Sequence, residues 1–440
     1  MEQTMAAIGQ LMANLSDLFL VLLFVGGAVR MVELIQTAAK MRKHVRSLRA
    51  VDYRRFQDSE HIMPVSLILP AAAKNESITD AVKNLLSQEF KQFELIVVVD
   101  RGEKESWDRL EQDYHLLPFH QPYKKTLNSS EIRGVYRSAD DVRLIVLDLK
   151  AVSCADALNA GINVSSYPII AVSSPELRLT KDALLKTIYA FTGDPNCVFI
   201  GAYPRIGFGA AEDGTKRLTA LGEMQGIERL RMLYSHRFGY ETLGMYLPLQ
   251  TMFAAILKST AQEAGGFSDT ANAELADLLL RIHAKRKKEK REYKVRLMPE
   301  AICYQIPQRS MRVVCAQARR AESAMRVVCR RNRAQSKAIR GITYTRLAET
   351  GWPLAEWVGI LVIAVSAVLG AISPLYVAGY LALSFLLGAI QSVASVLLEE
   401  SAFQRQTDTG LLLERYWLAV WENIVYRPQV TLAKLFTIGR

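Results

Sequence analysis

Asp100 ends a short apolar, β-branched run, Phe93 to Val99, and is followed by Arg101 and Gly102. Asn75 and Glu76 come soon after the run Val65 to Leu69 and its closing Pro70. Ser173, Ser174, Pro175 and Glu176 follow the run Pro168 to Val172. In all three places polar side chains, several of them carboxylates, stand just beyond a stretch that reads as a strand. Carboxylates there can ligate a hard cation or accept a proton. In open α/β sheets ligands bind outside the carboxyl ends of the strands. Asn75, Glu76, Asp100 and the Ser173–Glu176 segment are therefore the first candidates for a site.

The elements that must position them alternate. Strand-like runs at Val65–Leu69, Phe93–Val99, Val142–Leu147 and Pro168–Val172 are separated by helical patterns, one through Leu85 and Leu86 and one at Ala155-Asp-Ala-Leu-Asn-Ala-Gly161. That order predicts β-α-β units and a mostly parallel sheet, an α/β fold. No GxGxxG follows the first strand, which argues against a dinucleotide-binding protein. The Gly-rich stretch from Gly201 to Gly214 has no Lys-Ser/Thr in P-loop register and reads as a loop near the cleft. The six histidines are scattered without ligand spacing. The five cysteines form no CxxC pair and are odd in number, so they read as free thiols in a reducing compartment.

The chain has 440 residues, half of them hydrophobic, with 22% charged and a net charge of +11. That mixture predicts a polar body joined to membrane segments. The first apolar stretch, Ile8 to Val29, is long enough for a bilayer core of about 30 Å and lacks a small-residue cleavage site, so it reads as a signal anchor. Arg30, Lys40, Arg42, Lys43 and Arg46 follow it and place that side in the cytoplasm. Trp357–Ile372 and Tyr376–Leu398 are two uncharged apolar runs split by Ser373-Pro374, a membrane hairpin with Glu399, Glu400 and Arg405 behind it. Leu411–Val425 mixes charges with Trp417 and Trp421 and reads as a helix on the membrane surface. The predicted organisation is a membrane anchor and basic helix over 1–55, a cytoplasmic body over 56–335, and a tail over 336–440 that holds the hairpin, about 355–398, and interfacial helices. The basic run Arg281–Arg296 has no aromatic interleaving before Tyr293 and reads as a solvated face, not a nucleic-acid site.

The whole pattern resembles the membrane-bound, processive-type glycosyltransferases of family 2, the relatives of cellulose, hyaluronan and poly-N-acetylglucosamine synthases. Leu69-Pro70 through Asn75-Glu76 looks like the family's "PAxNE" with two extra alanines. Val97-Val-Val-Asp100 resembles the strand whose final Asp holds the uracil of a nucleotide sugar. Ala155–Gly161 is similar to "GKAxALNAG", Gly265–Asp269 to "GGFDE", Pro299–Cys303 with Pro307 to the "P-x-A-x-C/Y" strand, and Tyr426-Arg427-Pro428 to the "GYR" tail. The resemblance implies a GT-A (nucleotide-diphospho-sugar transferase-like) fold in a multi-pass protein of the inner (plasma) membrane. It also implies a nucleotide-binding set of Asn75, Glu76, Asp100, Asp156 and Asn159.

The chemistry that the family carries is altered at each of its parts. The metal-binding Asp-x-Asp falls on Ser174 and Glu176, leaving Glu176 as a single metal-ligand candidate. The general base of "TED" falls on Leu275, with Glu274 and Asp277 on either side pointing elsewhere around the helix. "QxxRW" becomes Gln317-Ala-Arg-Arg-Ala321, so Gln317, Arg319 and Arg320 remain as the acceptor and phosphate contacts while the aromatic platform is Ala321. The Lys of "GKA" is Cys154. The scaffold residues beside these positions are kept. The reading that follows is a pseudo-glycosyltransferase of surface polysaccharide synthesis, a partner or regulator of an active synthase, which still meets the lipid bilayer and a UDP-sugar and has no nucleic-acid partner. The alternative is an active transferase with non-standard ligands. No cofactor is required by the first reading; Mg²⁺ or Mn²⁺ belongs to the second.

Overall fold

The computed structural model describes the chain apart from residues 1, 50, 59–61, 71–77, 103, 151–152, 208–217, 235–237, 239–252, 271–272, 334–346, 348–350, 404–408 and 436–440. Among the described residues twelve strands, numbered in chain order, form two sheets: β1 (Val65–Pro70), β2 (Phe93–Val99), β3 (Leu116–Pro118), β4 (Ile132–Ser138), β5 (Leu144–Leu149), β6 (Ile169–Val172), β7 (Leu177–Leu179), β8 (Cys197–Ala202), β9 (Arg205–Ile206), β10 (Phe253–Leu257), β11 (Lys294–Met298) and β12 (Cys303–Gln305).

The larger sheet has the order β11-β8-β10-β6-β1-β2-β5-β4-β3. Its centre is parallel: β1 lies between β2 and β6, and β2 continues to β5. These strands are apolar on both faces because both faces are covered, and every residue of β1 and β2 is buried. Val65, Leu67 and Leu69 enter one apolar cluster while Ile68 enters another, as the two-residue period of a strand requires. The helices Ile78–Leu86 and Cys154–Val164 supply the crossovers that parallel neighbours need. The expected α/β architecture, with a parallel sheet centre, is the one observed. The sequence reading did not foresee β10, which enters antiparallel between β6 and β8. The second sheet, β7-β12-β9, is small and stands beside the carboxyl end of β6.

Glu2–Arg49 is one helix of 48 residues, about 72 Å long. Its first half packs on Trp352–Val368 and Pro374–Phe403. Gly26 makes room for the Trp352 ring: a Cβ at Gly26 would stand 1.7 Å from the indole. Ser16 and Ser366 share a buried hydrogen bond of 3.0 Å, and the Tyr376 hydroxyl donates to Asp17 at 3.0 Å. The second half docks on the body, where Lys40 donates to the Phe238 carbonyl at 2.8 Å and His44 meets Glu300 at 2.9 Å. Among the described residues two helices, Ala7–Leu48 and Pro374–Phe403, are long and apolar enough to cross a membrane; Trp352–Val368 is a shorter apolar helix.

The hairpin does not end where its apolar run ends. Pro374–Phe403 continues as one helix, and Glu399, expected as a charged flank, is fully buried. Its carboxylate meets Arg205 of β9, whose Nε and Nη2 each lie 2.9 Å from a carboxylate oxygen. The tail is a single helix, Thr409–Leu435, with Trp417 and Trp421 exposed and edge-to-face. On its other face Glu422 is buried and accepts from Arg231 at 3.0 Å and Ser392 at 2.9 Å.

Candidate functional site

At the carboxyl ends of β2 and β5 two carboxylates, Asp100 and Asp148, face one guanidinium. Arg133, reaching in from the antiparallel β4, donates from Nη2 to Asp100 at 2.5 Å and to Asp148 at 2.6 Å. The turn after β2 closes the arrangement: the Gly102 amide donates to Asp100 at 2.8 Å and the Arg101 amide to Asp148 at 3.0 Å. Burial raises the Asp100 carboxyl, but the Arg133 bond and then the Gly102 amide outweigh it and hold the group below the usual carboxylate range. Asp100 is therefore an anion at neutral pH, a quarter exposed, and able to accept from the N–H of a base.

Asn75 and Glu76 lie outside the described residues. Asp156 and Asn159, on the helix Cys154–Val164, bind protein groups. The Asp156 carboxylate accepts from the Ser130 amide at 2.7 Å and the Ser130 hydroxyl at 2.6 Å. Asn159 donates to the carbonyls of Asn128 and Phe267 and accepts from the Phe267 amide at 2.8 Å. That last contact grips the Gly265-Gly266 turn, where both residues have positive φ and a Cβ on Gly266 would meet the Asn159 oxygen at 2.5 Å. The helix thus secures the two loops flanking the strand ends.

The position that the sequence reading aligned with the general base is apolar. Leu275, in the first turn of the helix Glu274–Glu289, packs partly buried against the core. Glu274 is nearly buried, and desolvation first, then the Glu274 carboxylate, pushes the Cys154 thiol up to about 12. Asp277 is fully buried, accepts from Asn332 at 2.7 Å and from Arg281 Nε at 2.9 Å, and so belongs to the frame. Arg281 in turn donates to the Ala264 and Gly266 carbonyls.

Glu176, Gln317 and Arg320 come together. They line one cavity of about 200 Å³, with Ala321 beside them. The small sheet makes this possible: Glu176 immediately precedes β7, Gln305 ends β12, and β12 pairs with both β7 and β9. Gln305 spans the cavity wall, donating to Glu176 at 3.4 Å and accepting from Arg229 at 3.3 Å. Arg319 is exposed on the helix Met311–Arg331 and does not line the cavity. The other walls were missed by sequence reasoning: Gln225, Glu228 and Arg229 from the helix Ala220–Met232, and Tyr426, Val430 and Lys434 from the tail helix. Tyr426, Val430 and Lys434 are four residues apart, the spacing of one helix face, which was the signal available. Glu228 accepts from the Tyr426 hydroxyl at 2.6 Å. Burial raises its carboxyl, but Lys434 and then Tyr426 outweigh burial and keep it ionised.

Planar amides, carboxylates and guanidinia around an apolar floor can bind hydroxyls and phosphoryl oxygens. Glu176 and Glu228 are the carboxylates of the cavity's lining. Among the described residues no group of three or more His, Cys, Asp or Glu side chains is placed to hold a metal ion.

No family model matches this chain. Two poly-β-1,6-N-acetyl-D-glucosamine synthase sequences from Staphylococcus epidermidis are similar to it, each 20% identical over 250 residues, 56% of this chain and 52% of the synthase. The chain is thus a distant relative that spans about half the length of the curated relatives it matches. Among solved structures, a mannosyltransferase from Pyrobaculum calidifontis in complex with GDP-Man and Mn²⁺ is 14% identical with a TM-score of 0.49, covering 91% of this chain and 99% of that one. TarS residues 1–349 from S. aureus, in complex with UDP-GlcNAc, is 12% identical with a TM-score of 0.41, covering 83% of this chain and 92% of that one.

Proposed function

We propose that this chain is a membrane-bound, family 2 glycosyltransferase-like protein of surface polysaccharide synthesis that binds a nucleotide sugar without turning it over and serves as partner or regulator of an active synthase. Its body faces the cytoplasm and its apolar helices cross the inner membrane. The observation that carries the reading is the base position: Leu275 cannot take a proton, and the neighbouring Asp277 is committed to Arg281 and Asn332. The distant relationship to polysaccharide synthases supports the setting. The intact Asp100 end of β2 supports nucleotide binding.

The test is calorimetric titration of the purified full chain with UDP, with and without Mn²⁺, followed by a donor-hydrolysis assay. The expected result is UDP binding that ignores the metal, with no hydrolysis. Metal-dependent binding with turnover, abolished by Glu176→Ala, would establish the second reading, an active transferase with non-standard ligands. One observation favours that alternative: Glu176 opens into the same cavity as Gln317 and Arg320.

A further inference from the structure

Glu399 is far from the cavity in sequence and does not line it, yet it is tied to the cavity's wall. It is 0% exposed and lies in the last turns of the long apolar helix Pro374–Phe403. Arg205, 2% exposed, meets it with two nitrogens at 2.9 Å each, the Tyr234 hydroxyl donates to the same carboxylate, and Arg205 also donates to the Pro299 carbonyl at 2.6 Å. A guanidinium so buried has one fully satisfied pose, so the carboxylate dictates where Arg205 sits.

Arg205 begins β9. It is paired with Tyr304 of β12, and Ile206 with Gln305. The Gly207 amide adds a bond to the Gln305 carbonyl at 3.0 Å. Ile206 and Gln305 both line the cavity, and Gln305 is the residue that holds Glu176 on one side and Arg229 on the other. The path from the apolar helix to the cavity therefore runs from Glu399 to Arg205, from Arg205 to Tyr304 across the strands, and along the chain to Gln305, which branches to Glu176 and to Arg229.

We propose that Glu399 is a positioning residue for the cavity, acting through Arg205, so that the seat of the apolar helix and the occupancy of the cavity are linked. Because such coupling is reciprocal, a ligand in the cavity also tightens the helix on the body. This rests on the reading that the cavity belongs to a nucleotide-sugar site. It names a regulatory input to that site, the placement of the helix pair.

The experiment compares the native full chain, Glu399→Gln and a control, Glu356→Gln, all in lipid nanodiscs. Glu356 has the same kind of ion pair, 2.9 Å to Arg427, but no bond to the small sheet. Amide hydrogen exchange is read by peptide. In Glu399→Gln the amides of Tyr304, Gln305 and Gly207 are expected to exchange about tenfold faster while β1 and β2 stay within about twofold of native. In Glu356→Gln the small sheet keeps its protection. Faster exchange spread evenly over both sheets, or none at the small sheet, overturns the proposal. The second readout is affinity for UDP-N-acetylglucosamine, expected to fall about tenfold in Glu399→Gln alone. If the native chain fails to bind any UDP-sugar, the nucleotide-sugar reading falls while the exchange data still decide the role of Glu399.

Discussion

Two arginine–carboxylate clusters in this molecule pair the same chemical groups in different surroundings. Arg133 bridges Asp100 and Asp148 at the strand ends, 44% exposed, in reach of water and ligand. Arg205 meets Glu399 beneath Tyr234 with both partners at 2% or less. At the first, Asp148 is nearly buried but water already solvates Arg133 and Asp100, so the Arg133–Asp100 pair adds little stability and those two groups stay available. At the second, no water compensates a missing partner, so the pair is costly to break and fixes one geometry. The comparison separates charged groups left available at the strand ends from charged groups that hold the molecule together.

The buried cluster offers the largest effect. Glu399→Ala leaves the Arg205 guanidinium enclosed without its carboxylate, and unfolding free energy is expected to fall by about 3–5 kcal/mol. Denaturant unfolding of the detergent-purified chain measures this. The double change Arg205→Met with Glu399→Leu removes both charges and is expected to recover most of the loss. If the double variant is as unstable as the single one, the uncompensated charge is not the cause.

Asp277 tests the same contrast two residues after Leu275, with a smaller effect because Arg281 is 20% exposed. Asp277→Ala is expected to cost about 2–3 kcal/mol by stranding Arg281 and Asn332. It should lower the thermal midpoint while leaving UDP affinity within about twofold below that midpoint. Loss of UDP binding in the folded variant would make Asp277 part of the site.

The parallel centre of the sheet was legible because its strands are continuous β-branched runs, Phe93–Val99 above all, and such runs have few other fates. β10 was not legible. Phe253–Leu257 is short and carries two alanines, and its partners β6 and β8 come from distant parts of the chain. The site divided in the same way. Asp100 and Glu176 were legible as candidates because they follow strands locally. Gln305 and Glu228 were missed because they face the cavity through pairings between separate segments. Asp156 and Asn159 were read as ligand contacts from their motif, and the structure places their hydrogen bonds on Ser130, Asn128 and Phe267. Glu399 looked like a membrane-flanking charge since nothing near it in sequence announces Arg205.

The exposed cluster gives the smallest stability effect and the sharpest functional one. Asp100→Asn removes the charge that Arg133 and the Gly102 amide both seek, yet a partly solvated pair is worth about 0–1 kcal/mol, so the thermal midpoint should shift little. UDP affinity, by contrast, should fall about tenfold, the effect of losing one charge-assisted bond. The pH dependence follows from the same bonds. Asp100 has a depressed carboxyl in the folded chain, whereas an unfolded Asp titrates at about 3.9. Its contribution is therefore complete above about pH 4 and is lost only as pH falls through the lower folded value. Between pH 5 and 8 the cluster should leave stability flat, and added salt should weaken it further. If Asp100→Asn instead lowers the midpoint as much as Glu399→Ala does, solvent exposure is not what separates the two clusters, and Arg133 would have to be holding the ends of β2 and β5 together.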